Sequence, residues 1–477
     1  MKKQPILFVT AGMTRPKKKD TLVARENLYL NYGLLGLASI LSKKGYPAKV
    51  VDGRFTDPVK FVEDLLKRDL LNSSHPIFLS VPSSFALSWV GQFCRSLKLL
   101  YPEKRQVVGG RWVARPNGRW LSRKIPEADL VVCGTAEKRI ESLLWPSIWN
   151  IIPHTHISFN SAPEPAITDL PDLDYNLLEN FHRYHPSIEI SRGCGMGCAF
   201  CVENDSPLSQ LRSPVSTVNS IAHICNTYNT EFINVYFESS FFHPSRYWAA
   251  EFDRLYHEYG LSATWRTETR VDGLTPKTLK HLASAGLKVI DLGLESASPT
   301  QLIRMKKCAN PKKYLKKASE LLQECKRLGV WVKINVLLYA GENRETIEET
   351  AAWLSLHRNF IKGVSVGALT IYGPDERSHL FLRSLAPMGT KAVDPFSLEH
   401  RGYSHLHLSN YIDFDASSEI ALALSKEFMA EEDYFDLKSF GYFPRGFSYD
   451  QFRLLVSSSP AEILPFKVTS LKEEVTL

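Results

Sequence analysis

Ser191-Arg-Gly-Cys-Gly-Met-Gly-Cys-Ala-Phe-Cys201 closes a short apolar run, Ser187 to Ser191, and sets Cys194, Cys198 and Cys201 at CxxxCxxC spacing. Soft thiolates select iron–sulfur clusters, zinc or copper(I), and a self-contained cubane site uses four of them. Three thiolates leave one corner of a cubane open. Gly193, Gly195 and Gly197 alternate with the cysteines, and residues without a β-carbon let backbone wrap a bulky group closely. The alternative is a structural zinc site of three cysteines and one histidine. His182, His185 and His223 are the nearest histidines, none at a usual finger spacing.

Downstream of this loop, strand and helix patterns alternate. Strands are expected at Ser187–Ser191 and near 231–237, 263–268, 288–293, 330–338 and 364–370. Amphipathic helices are expected near 215–228, 245–259, 276–285, 311–328 and 344–357, from apolar residues at 3.6-residue spacing. Six such units predict a partial (β/α)6 parallel barrel over 181–375. Barrels of this kind do their chemistry at the carboxyl ends of the strands, so residues ending each strand are site candidates.

Upstream, residues 1–145 alternate in the same way. Strands are expected at Ile6–Thr10, Ala48–Asp52, Ile77–Val81, Gln106–Val108 and Leu130–Cys133, with helices near 30–44, 58–71, 85–100 and 136–144. Near-continuous apolar strands between helices predict a doubly wound, flavodoxin- or Rossmann-like parallel sheet covered on both faces. Ligands bind such sheets beyond the carboxyl ends of the strands, where Ser83, Ser84, Gly109, Gly110, Gly134 and Thr135 fall. A proline- and aspartate-rich stretch, Ala162 to Asp174, marks 146–180 as a linker. The tail, 376–477, is expected to be a small mixed cap with a helix from about Ser417 to Glu431, and His405 and His407 on one strand face.

Composition excludes several classes. With 44% hydrophobic and 23% charged residues the chain is globular rather than disordered. Eight cysteines in 477 residues are too few for a disulfide scaffold. The opening Met1-Lys-Lys-Gln-Pro-Ile-Leu-Phe-Val-Thr-Ala-Gly-Met13 is too short in its apolar run for a signal peptide, and Arg15 and Lys17 to Lys19 follow it. No window approaches the ~20 apolar residues of a membrane helix. The net charge of +7 is concentrated at Lys306, Lys307, Lys312, Lys313, Lys316, Lys317 and Lys326. The helix expected there turns most of these to solvent, so a solvated helix face is the stronger reading, the alternative being an anionic substrate or RNA partner. Cys225 and Cys325 fall on apolar helix faces as small core residues. Cys308 lies beside two lysines, which favours thiolate, although an inert role is the stronger reading. Cys94 and Cys133 are too far apart to form a second cluster.

The cysteine spacing, with Phe200 ahead of the last ligand, resembles the signature of the radical S-adenosylmethionine (SAM) enzymes. Trp265-Arg-Thr-Glu-Thr-Arg-Val-Asp-Gly273, Asp291-Leu-Gly-Leu-Glu-Ser-Ala-Ser298 and Ala340-Gly-Glu-Asn-Arg-Glu-Thr346 resemble further landmarks of that superfamily. The last has Asn343 where proline is usual. The resemblance implies a [4Fe-4S] cluster on Cys194, Cys198 and Cys201, with SAM chelating the open iron and yielding a 5′-deoxyadenosyl radical. It implies Phe200, Glu238, Ser239, Arg270, Glu295, Ser296 and Asn335 around SAM, Glu238 holding the amino group. For Arg270 and Glu295 the alternative is a buried ion pair that stabilises the barrel. Tyr32-Gly-Leu-Leu-Gly-Leu-Ala-Ser-Ile-Leu-Ser-Lys-Lys-Gly45, Val50-Val-Asp-Gly53, Val107-Val-Gly-Gly110 and Cys133-Gly-Thr-Ala-Glu137 resemble the cobalamin-binding domain that precedes many such barrels. It lacks that domain's Asp-x-His-x-x-Gly, and no histidine precedes His75.

These resemblances imply a cytoplasmic, cobalamin-dependent radical SAM methyltransferase acting in biosynthesis on a carbon of a small molecule or peptide. Its electrons would come from a reductase such as flavodoxin or ferredoxin, and neither nucleic acid nor membrane is an expected partner. The alternatives are a non-methylating radical SAM dehydratase, decarboxylase, epimerase or cyclase with an empty first domain, and a non-catalytic cluster or cobalamin sensor.

Overall fold

The computed structural model describes residues 4–13, 20–111, 118–150, 155–158, 166–204 and 206–469. Part of the proline-rich stretch and the lysines at 17–19 lie outside them. Strands β1 (Ile6–Thr10), β2 (Ala48–Asp52), β3 (Ile77–Ser80), β4 (Gln106–Gly109), β5 (Leu130–Cys133) and β6 (Thr155–Ser158) form one sheet in the order β2-β1-β3-β4-β5-β6, every pair parallel. Ile6 to Val9 are buried on both faces, as an all-parallel sheet requires. Helices α1 (Leu22–Arg25), α2 (Tyr32–Lys43), α3 (Pro58–Lys67), α4 (Leu87–Leu100) and α5 (Gly118–Lys124) connect the strands. The order reverses beside β1, so the ligand crevice of such a fold lies at the ends of β1 and β3.

Two expectations fail here. The helix expected at 136–144 is a 3-10 turn, Ile140–Leu144. Pro146 follows directly, and the residue before a proline is disfavoured in helical backbone. Strand β6 lies beyond position 145 in what reads as linker, because four residues at a sheet edge carry almost no periodic signal.

Strands β7 (Ser187–Glu189), β8 (Asn234–Glu238), β9 (Thr264–Arg270), β10 (Leu287–Glu295), β11 (Trp331–Leu338) and β12 (Gly363–Ala368) form a second all-parallel sheet in sequential order. Helices α6 (Pro214–Tyr228), α7 (Arg246–Glu258), α8 (Pro276–Ser284), α9 (Pro299–Arg304), α10 (Pro311–Arg327) and α11 (Arg344–Leu356) cover it. Their starts are written in the sequence. Ser213, Ser245, Thr275, Asn310 and Asn343 each accept a hydrogen bond from the first turn, and Pro214, Pro276 and Pro311 occupy first-turn positions that tolerate proline. Asn343 N also donates to Thr346 Oγ1 at 3.0 Å, completing a capping box, so it opens α11 without the usual proline.

The tail holds α12 (Glu376–Leu385), α13 (Ser397–Arg401), α14 (Phe414–Glu427), α15 (Glu431–Ser439) and α16 (Tyr449–Ser457), with a small antiparallel sheet of β13 (Thr370–Tyr372), β14 (Lys391–Ala392) and β15 (Tyr403–His407). The helix expected to run to Glu431 ends at Glu427, and a second begins at Glu431. Helix α14 packs on β12, where Ser425 Oγ accepts from Val366 N at 3.1 Å. It covers the last barrel strand from the tail, as α6 to α11 cover the strands before it. At the other edge the Tyr175 hydroxyl donates to Ser187 O at 3.0 Å and accepts from Ser187 N at 3.2 Å. A side chain thus pairs with the free edge of β7.

Inside the barrel, Arg266 Nε donates to Asp291 Oδ2 at 3.1 Å, Arg266 Nη1 donates to Leu437 O at 2.8 Å, and Lys333 Nζ stands 2.5 Å from Asp291. Arg266 and Asp291 are fully buried. Burial alone would raise the Asp291 pKa; Arg266 and Lys333 reverse that and hold it at about 2. Removing one partner of a buried pair leaves a stranded charge, at a cost of about 3–5 kcal/mol. Arg266→Met is therefore expected to lower unfolding free energy by roughly that amount in urea titration, and adding Asp291→Leu is expected to restore part of it.

Candidate active site

The cysteine loop leaves β7 and folds back on itself. Gly193 has φ +71°, and a β-carbon there would fall 2.1 Å from Pro207 O, so only glycine closes the turn. Cys194 N donates to Ser206 O at 2.9 Å, and Ala199 N donates to Met305 O at 2.8 Å, tying the loop to the end of α9. Cys198 is buried; Cys194 and Cys201 are half-buried. Arg270, the last residue of β9, donates to Cys198 Sγ at 2.9 Å through Nη1, to Lys307 O at 2.8 Å through Nη2 and to Asp272 Oδ1 at 2.9 Å through Nε. Lys307 in turn pairs with Glu295 at 3.1 Å.

The donor set fits a cluster. Burial, then the nearby Cys198 and Cys194, push the Cys201 thiol up to about 11, a shift that a bound metal would reverse by favouring the thiolate. Among the described residues no three Cys, His, Asp or Glu side chains converge on one ion. A mononuclear zinc needs its sulfurs about 2.3 Å from a single centre, whereas a cubane takes each thiolate on a different iron. His182 and His223 are exposed and His185 is buried.

At the end of β8, Glu238 accepts from Ser187 Oγ at 2.8 Å, and Ser239 Oγ lies 2.6 Å from Ser191 Oγ. Burial drives the Glu238 carboxyl up to about 8 against the Ser187 hydrogen bond, with Glu268 and Glu189 adding repulsion. Glu238 has no basic partner among the described ion pairs, so nothing there offsets the burial that favours its protonated form. The ion pair considered for Arg270 and Glu295 does not form: Arg270 binds Asp272, and Glu295 binds Lys307. Glu295 stands at a register shift of β10 with φ +69°. Ser296 is turned to Thr350, 3.1 Å away, and accepts from Ser298 N at 3.0 Å. Asn335 sits on β11 level with Gly293 and Ser365. The Phe200 ring lies 6.4 Å from that of Tyr339.

Sequence reading missed Lys307, Asp272 and Glu268. Lys307 belongs to the basic run assigned to solvent, yet it is 4% exposed, because the chain turns at Lys306 (φ +51°) between α9 and α10. Burial raises the Cys308 thiol, which supports the inert reading. Cys94, Cys133 and Cys325 are buried.

The carboxyl edge of the first sheet faces this loop. Arg111, next to Gly110 at the end of β4, is ion-paired with Glu203 two residues after Cys201. Glu137, beyond β5, holds Arg192 at 2.6 Å, and Arg192 holds Glu189 at 2.7 Å. The Phe85 ring lies 4.6 Å from Tyr403 of β15. On this edge Ser83 and Ser84 follow β3, Gly109 and Gly110 end β4, and Gly134 and Thr135 follow β5. Gly110 has φ +120°, and a β-carbon there would fall 2.8 Å from Val81 backbone. Ser84 Oγ is buried without a hydrogen-bond partner among the described residues. The sheet reversal adds Gly12 and Met13 beyond β1, with Ser83 Oγ 4.0 Å from Met13 Sδ. The seam lined by Tyr32, Glu137, Glu189 and Arg192 holds about 50 Å³, room for a water or two rather than a cofactor.

Residues 188–354 match the family model of the radical SAM superfamily. That stretch is a radical SAM domain. No curated protein matches its sequence. Among solved structures, the radical SAM methyltransferase TsrM from Kitasatospora setae with tryptophan substrate and a SAM analogue superposes with TM-score 0.64 at 15% identity, over 90% of each chain. TsrM with cobalamin and a [4Fe-4S] cluster gives 0.59 at 14%, over 98% of this chain and 93% of that one. The cobalamin-dependent SAM radical enzyme OxsB gives 0.65 at 14%, over 96% and 70%. At such identities the likeness is one of fold, and it extends over both parallel sheets. The superfamily works with a [4Fe-4S] cluster and SAM, which the three-thiol loop fits. Among the described residues no helix is long and apolar enough to cross a membrane.

Two outcomes are expected. Replacing Arg270 by Gln removes a cation that stabilises the reduced, more negative cluster, so its midpoint potential should fall by about 40 mV for ~1 kcal/mol of lost stabilisation, read by EPR-monitored redox titration. Glu238 carries a raised pKa, so the stability of its protonated form is complete below its ordinary range near 4.5 and is lost as pH rises through about 8. Glu238→Gln should therefore raise the melting temperature at pH 8 and change it little at pH 4.5, by calorimetry.

Proposed function

We propose that this enzyme is a cobalamin-dependent radical SAM methyltransferase that acts on an unactivated carbon of a small molecule or peptide. The observation that carries the reading is the apposition of the first sheet's carboxyl edge to the cysteine loop, fastened by Arg111 and Glu203. In this reading 1–145 is the cobalamin-binding unit, to which β6 adds an edge strand, the rest of 146–180 the linker, 181–375 the radical SAM barrel and 376–477 the cap over the substrate.

Cys194, Cys198 and Cys201 hold the [4Fe-4S] cluster. Glu238 meets the SAM ammonium in a charge-assisted contact, with Phe200, Ser239, Arg270, Glu295, Ser296 and Asn335 around the rest of SAM. Ser83, Ser84, Gly109, Gly110, Gly134 and Thr135 receive cobalamin: Gly110 and Gly134 let its ring approach the backbone, and the unpartnered Ser84 hydroxyl gains a hydrogen-bond partner. Among the described residues no histidine ends a strand on this edge. When bound, cobalamin supplies a methyl group to a substrate carbon radical. The chain's own task is to hold the target carbon close and to exclude water and oxygen, because a radical reacts with its nearest neighbour. A small low-potential reductase such as flavodoxin or ferredoxin supplies electrons in a reducing cytoplasm.

Anaerobic reconstitution with iron, sulfide and hydroxocobalamin should give a protein that retains stoichiometric cobalt through gel filtration. Gly110→Phe should lower cobalt affinity by about tenfold or more, ~1.4 kcal/mol, while iron content is unchanged. A wild-type protein that makes 5′-deoxyadenosine from SAM but retains no cobalt rules out methyl transfer through cobalamin.

A further inference from the structure

Three tyrosines from three parts of the chain form a contact series that begins inside the second sheet: Tyr236 on β8, Tyr442 from the tail and Tyr29 from the segment ahead of α2. The Tyr236 hydroxyl donates to Glu268 Oε1 at 3.0 Å. A phenol has one proton to give, so in the 3.4 Å contact between the Tyr236 and Tyr442 oxygens the donor is Tyr442. The Tyr442 ring lies 5.2 Å from that of Tyr29, and Tyr29 exposes 53% of its surface. Tyr236 alternates with Glu238 on the same strand face, one repeat or about 6.6 Å deeper. The series starts beneath the SAM-side residues and ends at an exposed ring. Packing does not require the hydroxyls. Arg266 lies over the rings of Tyr236 and Tyr442 at 5.2 and 4.5 Å, a contact that phenylalanine also makes.

We propose that Tyr236, Tyr442 and Tyr29 form a quenching relay that ends a carbon-centred radical left in the barrel without substrate. The inference rests on radical SAM chemistry and is independent of cobalamin. The radical takes the phenolic hydrogen atom of Tyr236: the O–H bond breaks, a C–H bond forms, and Tyr236 becomes a neutral phenoxyl. The Tyr442 hydrogen, already directed at the Tyr236 oxygen, follows as a hydrogen atom, restoring Tyr236 and moving the phenoxyl to Tyr442. One electron from the low-potential donor that also reduces the cluster, entering through the Tyr29 ring, and one proton from water restore Tyr442. The sum is radical plus electron plus proton giving a closed-shell C–H compound.

Phenolic hydrogens exchange with water and carbon-bound ones do not, which makes the relay measurable without a substrate. Full-length protein reconstituted with iron and sulfide is given SAM and titanium(III) citrate in heavy water, and 5′-deoxyadenosine is analysed by mass spectrometry. The product should carry one deuterium, and Tyr236→Phe should abolish that label. Tyr442→Phe should keep the label and prolong a freeze-quenched EPR signal that narrows with ring-deuterated tyrosine. Unlabelled product from the wild type, or equal labelling in Tyr236→Phe, overturns the relay. Absence of 5′-deoxyadenosine overturns the radical SAM chemistry, and the relay with it.

Discussion

One guanidinium organises the site. Arg270 ends β9, and its nitrogens reach Cys198 Sγ, the Lys307 carbonyl and Asp272 together. A planar fork of donors can serve three acceptors in fixed geometry, which a lysine cannot. Through it the cysteine loop, the third barrel strand and the turn between α9 and α10 are held in one arrangement. Lys307 then reaches Glu295, so the positive charge beside the sulfurs is itself anchored by carboxylates.

A six-stranded parallel sheet cannot close on itself, and the two flanks are managed differently. At β7 the Tyr175 hydroxyl satisfies backbone groups of Ser187. At β12 the cover comes from α14, more than forty residues downstream. Between these flanks the interior is polar and ionic, centred on Arg266 and Asp291, and Tyr442 from the tail enters it, with the exposed Tyr29 ring against Tyr442. The first sheet is fastened at several points: Arg111 to Glu203, Glu137 to Arg192 and Phe85 to Tyr403. Chemistry in a partial barrel thus depends on parts of the chain that are not barrel.

Most of this architecture could be read from the sequence because its strands and helices are long and bounded by clear signals. Helices α6, α8 and α10 begin at Ser-Pro, Thr-Pro and Asn-Pro, and their starts fall within a residue of expectation. The cysteine loop was legible because its ligands are local. What escaped is non-local. Lys307 looks like one more lysine in a basic run until the turn at Lys306 places it inside. Asn343 lacks the proline of its landmark, yet an asparagine can cap a helix equally well. Strand β6 and helix α5 are too short for periodicity, and the expected helix at 136–144 met Pro146. The partners of Arg270 depend on which strands become neighbours, which no window of sequence contains.

The position of α14 bears on how the chain folds. Strand β12 is complete at Ala368, but the helix that buries it begins at Phe414. During synthesis, at roughly 5–20 residues per second, the nascent polypeptide therefore spends seconds with an apolar strand face uncovered and its last contacts of high sequence separation unmade. That interval exposes the newborn chain to aggregation and to engagement by chaperones before its architecture can lock.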